Sequence, residues 1–178
     1  MAEITPEQLL QLEEKQEKKE YNKENPSAVT LTNQIVASLA ILWTKLHQYH
    51  WYVKGPHFIT LHEKFEELYD GVTNWYDDIA ETLLAMGAKP FSTTAKNVKY
   101  SLVKENEADK YRTSDVMVAN VVKDFRTLSD AASKAIELAE EDNEVVLADV
   151  LTGFKAFLDK EIWMLQAFLG KDAKDGVE

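Results

Sequence analysis

Apolar residues recur along most of this chain at spacings of three and four, the period of a helix that buries one face. Leu31, Ile35, Leu39, Leu42, Leu46 and Tyr49 form one such stripe. The stripe predicts a helix from about Ser27 to Val53, ended by Gly55-Pro56. Phe65, Leu68, Val72, Tyr76, Ile79, Leu83 and Met86 form a second, predicting a helix from about Leu61 to Met86. Thr60 and Glu63 have the spacing of a capping box at its start, and Gly87 followed by Pro90 suits its end. A third helix is expected from Thr113 or Ser114, and a fourth from Asp142 or Asn143 to Leu169, with Gly170 as its stop. Gly153 inside the fourth suggests a close helix approach or a tolerated weak point.

Residues 88–112 join the second and third helices. That connection is long for a bundle loop and too polar for a core helix, although Thr94–Leu102 can form a short one. A crossover of this length lets the helices it joins run parallel in a four-helix bundle. Strand-type alternation is hard to find, and no internal repeat of fixed period is present. The expected fold is therefore all-α, a four-helix bundle whose crossover carries a short extra helix.

Residues 1–26 read as an appendage. Thr5, Pro6 and Gln8 suit a helix start, but Leu9, Leu10 and Leu12 cluster early and the rest is charged. A short helix fraying into a solvated segment, ended at Asn25-Pro26, is the expectation. The division expected is thus a helical N-terminal extension (1–26), a bundle domain (27–170) and a flexible polar tail (171–178).

Composition narrows the function classes. At 178 residues the chain fits one domain with a sizeable core. A net charge of −11 leaves no global attraction for nucleic acid or anionic membranes, but it favours cations. With no cysteine, disulfides, thiolate metal sites and cysteine nucleophiles are excluded. No apolar run approaches membrane-spanning length, so a cytoplasmic protein is the default expectation.

The candidate chemistry lies between His50 and Glu81. His50 and His62 are joined by Glu66 one turn later, and Asp77 and Glu81 form a second pair spaced by four. Imidazole mixed with carboxylate suits a divalent first-row metal, iron above all. At 100° per residue, with His62 at zero, Glu66 falls at about 40°, Asp77 at about 60° and Glu81 at about 100°. All four lie on one arc beside the apolar stripe. His62 and Asp77, however, are separated by about 22 Å along the helix axis. One metal with ligands at about 2 Å cannot use both pairs in one chain. Either two half-sites exist, or a second copy supplies the missing half. A twofold axis near Tyr69–Thr73 would bring His62 and Glu66 of one chain against Asp77 and Glu81 of the other.

These residues resemble a known family. His50-Trp51-x-Val53-x-Gly55 followed by Leu61-His62-x-x-x-Glu66 is similar to the first signature of Dps proteins, a branch of the ferritin-like superfamily. Asp77-x-Ile79-Ala80-Glu81-x-Leu83 with Gly87 is similar to the second. Pro90-Phe91-Ser92-Thr93 and Ile162-Trp163-Met164 add to the likeness, which covers roughly residues 28–170. The resemblance implies a dodecameric shell built from twofold dimers, with a two-iron ferroxidase site at each dimer interface. His50, His62 and Glu66 would come from one subunit and Asp77 and Glu81 from its mate, with Trp51 lining the site. It implies oxidation of Fe(II), typically by hydrogen peroxide, storage of the ferric product, and often DNA binding. Two departures stand out. Glu66 replaces an Asp frequent in the family, which lengthens one ligand by a methylene. Thr82 replaces a frequent Arg, which alters an interface ion pair and leaves the ligands unchanged.

Blander readings stand beside these. His47 reads as a hydrogen-bonded neighbour of the site, His57 as an exposed loop residue, and Asp78 points away from the arc. The acidic run around Glu140–Asp149 suits a solvated corner beside a helix N-terminus. By resemblance, Glu144 and Asp149 would line a threefold pore that admits Fe(II), although Val145 stands where some relatives carry Asp. Residues 1–26 offer Lys15, Lys18, Lys19 and Lys23 to DNA, but four lysines face seven glutamates. A DNA-compacting protein with little metal chemistry is the alternative function. A bundle that has lost its metal is a third, and the complete five-residue set counts against it.

Overall fold

The computed structural model describes residues 4–21 and 26–177. Among them every regular element is helical: α1 (Pro6–Tyr21), α2 (Ala28–Tyr52), α3 (Phe58–Ala85), α4 (Thr94–Tyr100), a 3-10 turn (Glu107–Tyr111), α5 (Ser114–Glu141) and α6 (Val145–Phe168). The hairpins α2–α3 and α5–α6 pack side by side as a four-helix bundle, α2 against α5 and α3 against α6. The predicted stripes form its core. Ile35, Leu39, Leu42, Leu46 and Tyr49 of α2 meet Phe65, Leu68, Val72, Ile79 and Leu83 of α3, all fully buried. On the α3–α6 side the backbones come close. A Cβ on Gly71 would sit 2.9 Å from the Phe157 ring, and one on Gly153 3.1 Å from Trp75. Close approach is therefore the reason for Gly153.

The crossover climbs α2 on a ladder of polar contacts. Asn33 donates to the Lys89 carbonyl and accepts from the Phe91 amide, both at 2.9 Å. Ser38 Oγ accepts from the Leu102 amide at 2.8 Å. Lys45 donates to the Lys104 carbonyl at 3.2 Å and to Asp124 of α5 at 2.6 Å. The Tyr49 hydroxyl donates to Asp109 at 2.8 Å and accepts from Asn120 of α5 at 3.1 Å. Side chains of α2 thus satisfy the backbone groups of a segment too polar to bury itself. The chain arrives at the end of the bundle where α3 began, so α3 and α5 run parallel.

Four local expectations are corrected. The helix α3 begins at Phe58, and Thr60 is inside its first turn, not its N-cap. The earlier start is rewarded by stacking of Phe58 on His62 one turn later and by an edge-to-face contact of His57 with Phe168. Asn143 does not open the fourth helix but ends α5. It takes a left-handed φ of 60°, and the Glu144 amide returns to the Ala139 carbonyl at 2.8 Å. The helix α6 therefore starts at Val145. The helix α1 does not fray after Leu12 but continues to Tyr21, with Thr5 and Gln8 forming the capping box. Its expected end at Asn25 lies outside the described residues. The tail is not loose: Arg126 donates to the carbonyls of Ala173 and Asp175, and Gln166 to those of Asp172 and Asp175.

Candidate metal centre

The short α2–α3 connection folds the last turn of α2 onto the first turns of α3. His50 and His62 meet face to face there, ring centroids 3.7 Å apart and 19° from parallel. The pair is locked reciprocally. Nδ1–H of His50 donates to the His62 carbonyl at 2.7 Å, and Nδ1–H of His62 donates to the His50 carbonyl at 2.9 Å. A carbonyl only accepts, so each Nδ1 carries the proton and each Nε2 keeps its lone pair free. Such a bond orients a metal-binding imidazole and settles which nitrogen can coordinate.

Glu66, one turn beyond His62, completes the group. Ligand atoms of His50, His62 and Glu66 all lie within 4.8 Å of one another, and among the described residues they are the only cluster of three such side chains. His50 is buried, His62 half-buried and Glu66 exposed, so the set opens outward on one side. Two imidazoles and one carboxylate with open positions suit a first-row divalent ion, Fe(II) included.

Aromatic rings wall this group. Tyr69 stands edge-on to His50 at 5.4 Å and stacks on His47 at 3.9 Å. Its phenol is pushed above the usual range by desolvation and then by the charges of Glu66 and Asp70. Phe58 stacks on His62 at 5.2 Å. His47 is a neighbour and not a member: its Nδ1–H donates to the Trp43 carbonyl at 2.8 Å. Trp51 lies beside His47 at 5.5 Å and is 67% exposed. Tyr69 and Phe58 escape a search for metal ligands. Their spacing from His62, seven after and four before, places them on its helical face.

Asp77 and Glu81 do not join the cluster within this chain. Both are exposed, several turns further along the same arc of α3. Trp43 and Trp51 flank His47 beside the histidine pair, Leu84 falls on the same arc of α3, and all three are exposed. Glu144, at the α5–α6 turn, and Asp149, one turn into α6, are exposed at the far end of the bundle from the histidine pair, beside the exposed Val145 and Val146.

Comparison with known proteins agrees with the fold. Residues 29–174 match the ferritin-like domain family. The chain is similar to DNA protection during starvation protein 2 of Bacillus anthracis, 40% identical over 147 residues that cover 83% of this chain and 99% of that one. The structure is similar to Dps from Listeria monocytogenes, with a TM-score of 0.82, 38% identity and coverage of 85% and 99%. It is similar also to Dps from Listeria innocua soaked with zinc, with a TM-score of 0.80, 38% identity and coverage of 84% and 100%. The four-helix bundle, the histidine–glutamate cluster and these likenesses converge: the chain belongs to the ferritin-like family, in its Dps branch.

Proposed function

We propose that this protein is a ferroxidase that oxidises Fe(II), preferably with hydrogen peroxide, and stores the ferric product inside a shell of twelve copies. The observation that carries the reading is the cluster of His50, His62 and Glu66, with both Nε2 atoms held free by reciprocal Nδ1 hydrogen bonds. Three donors leave coordination positions open on the exposed side. Asp77 and Glu81 of a twofold-related copy fill them in this reading, and two Fe(II) ions bind at each such centre. The apolar surface carrying Trp43, Trp51 and Leu84 supports a partner there. Trp51 then lines the site. Carboxylates favour Fe(III) over Fe(II), which eases loss of the electron. Two Fe(II) ions give two electrons to one peroxide, and with two protons the products are two Fe(III) and two waters. Removing peroxide and ferrous ion together protects DNA, in keeping with the name of the Bacillus anthracis relative. Glu144 and Asp149 line the pores that draw Fe(II) inward. A cytoplasmic location suits this role, and no helix among the described residues is long and apolar enough to cross a membrane.

Anaerobic loading with Fe(II) followed by peroxide, monitored by ferric absorbance, tests the site. His50→Ala/His62→Ala should slow oxidation by at least about tenfold. An unchanged rate overturns the assignment. The second reading, a DNA-compacting nucleoid protein with little metal chemistry, rests on Lys15, Lys18 and Lys19 of α1; Lys23 lies outside the described residues. A gel shift with and without chelator decides it, and no shift under either condition removes it.

A further inference from the structure

The helix α1 buries none of its residues, and Leu9, Leu10 and Leu12 remain about half exposed. What holds it is one face, Glu13, Glu17 and Tyr21, spaced by four. Glu17 accepts from Lys96 at 2.5 Å and from the Tyr100 hydroxyl, with Lys99 at 3.9 Å. Glu13 pairs with Lys89. The Tyr21 ring lies 5.5 Å from Phe91 and 4.5 Å from Tyr100, which are themselves stacked at 4.7 Å and 10°. Lys96 and Lys99 also sit over the Phe91 and Tyr100 rings.

The surface under α1 is therefore cationic and aromatic at once, within a chain of net charge −11. Lysines beside a platform of flat rings are what a single-stranded nucleic acid uses, phosphates on the lysines and a base on the rings. The carboxylate of Glu17 stands where a phosphate would, and the ring of Tyr21 where a base would. A duplex keeps its base faces stacked inside and offers phosphates and groove edges, not a free ring face. We propose that Lys89, Lys96, Lys99, Phe91 and Tyr100 form a binding surface for single-stranded nucleic acid, and that α1 occupies it in cis as a mimic. The proposal is independent of the metal centre. It also reverses the sense of the N-terminal arm, which blocks binding instead of providing it.

The test uses the full chain and a fluorescent oligothymidylate of about 16 nucleotides, read by anisotropy at low salt. Glu13→Gln/Glu17→Gln/Tyr21→Ala should bind at least about tenfold more tightly than the parent. Adding Lys96→Ala/Lys99→Ala should abolish that gain, and a duplex of equal length should gain less. The proposal is overturned by no gain, by a gain that survives loss of the lysines, or by an equal gain for duplex. The parent protein gives a second readout that needs no destabilising variant. A dye on Gln16→Cys, the sole cysteine, should become more mobile when saturating oligothymidylate displaces α1, and unchanged mobility also overturns it. Fe(II) oxidation by the same variants stays at the parent rate, so failure here is distinguishable from failure at the metal centre.

Discussion

At Lys45 a single ammonium joins three segments. It is buried in the bundle, donating to Asp124 of α5 and to the Lys104 carbonyl of the crossover. Burial pushes the Asp124 carboxyl above its usual range, and the neighbouring Lys45 charge only partly offsets this. Lys45→Met keeps the apolar stem but leaves the carboxylate without its partner, at a cost of about 3–5 kcal/mol near neutral pH. The folded state then holds the proton more tightly than the unfolded state. The cost is present above the raised folded value and shrinks as pH falls through it. Urea unfolding of parent and variant at pH 7.5 and pH 4.5 measures this, and an equal penalty at both contradicts it. Lys45 carries no sign of this role in the sequence, because its partners lie 59 and 79 positions away. His50 and His62 behave differently. Their pairing is encoded by a short loop between two well-marked helices, and so it is legible from spacing. The reciprocal bonds that free both Nε2 atoms depend on backbone carbonyls, which no residue type announces.

At the scale of elements, all four bundle helices were legible, two of them from a continuous buried stripe and two from the residues that start and stop them. The ends were less legible, since several residues compete to stop or start a helix. Thr60-x-x-Glu63 has the spacing of a cap, yet the contacts of Phe58 and His57 extend α3 past it. Ser27→Ala, which removes a cap bonded to the Thr30 amide at 3.1 Å, should cost about 1 kcal/mol. Thr60→Ala should leave thermal stability unchanged within about 0.5 kcal/mol. Equal losses in denaturant unfolding would place the start of α3 at Thr60 after all. The helix α1 reads as frayed because docking by carboxylates leaves no apolar stripe to find. Its attachment is pH-dependent. Burial pushes the Glu17 carboxyl up, but hydrogen bonds from Lys96 and Tyr100 and the charges of Lys96 and Lys99 outweigh it, so the group sits below its ordinary value. Docking is therefore strongest above the ordinary carboxylate range and weakens as pH falls through the lowered value. Anisotropy of the dye at Gln16→Cys should fall below about pH 4.5, and a flat profile down to pH 3 refutes this coupling.

For the whole molecule, the decisive point is that α3 carries candidate ligands at both ends of a span no single ion can bridge. His62 with Glu66 and Asp77 with Glu81 lie on one arc, about 22 Å apart along the axis. A metal centre that needs both must be shared between copies, and an isologous dimer makes two of them. This can be tested by complementation. His50→Ala/His62→Ala destroys one half of each site, and Asp77→Asn/Glu81→Gln destroys the other. Each variant alone should be a poor ferroxidase. Unfolded together in equal amounts and reassembled, about half of the twofold pairs should be mixed. A mixed pair holds one centre with both halves damaged and one with both halves intact. About a quarter of all centres should therefore recover, and the peroxide-driven Fe(II) oxidation rate should return to about a quarter of the parent value. If each chain instead held its own complete centre, every chain in the mixture would still carry a damaged one. Reassembly would then recover nothing, and the five residues would have to work within one subunit, against the geometry of α3.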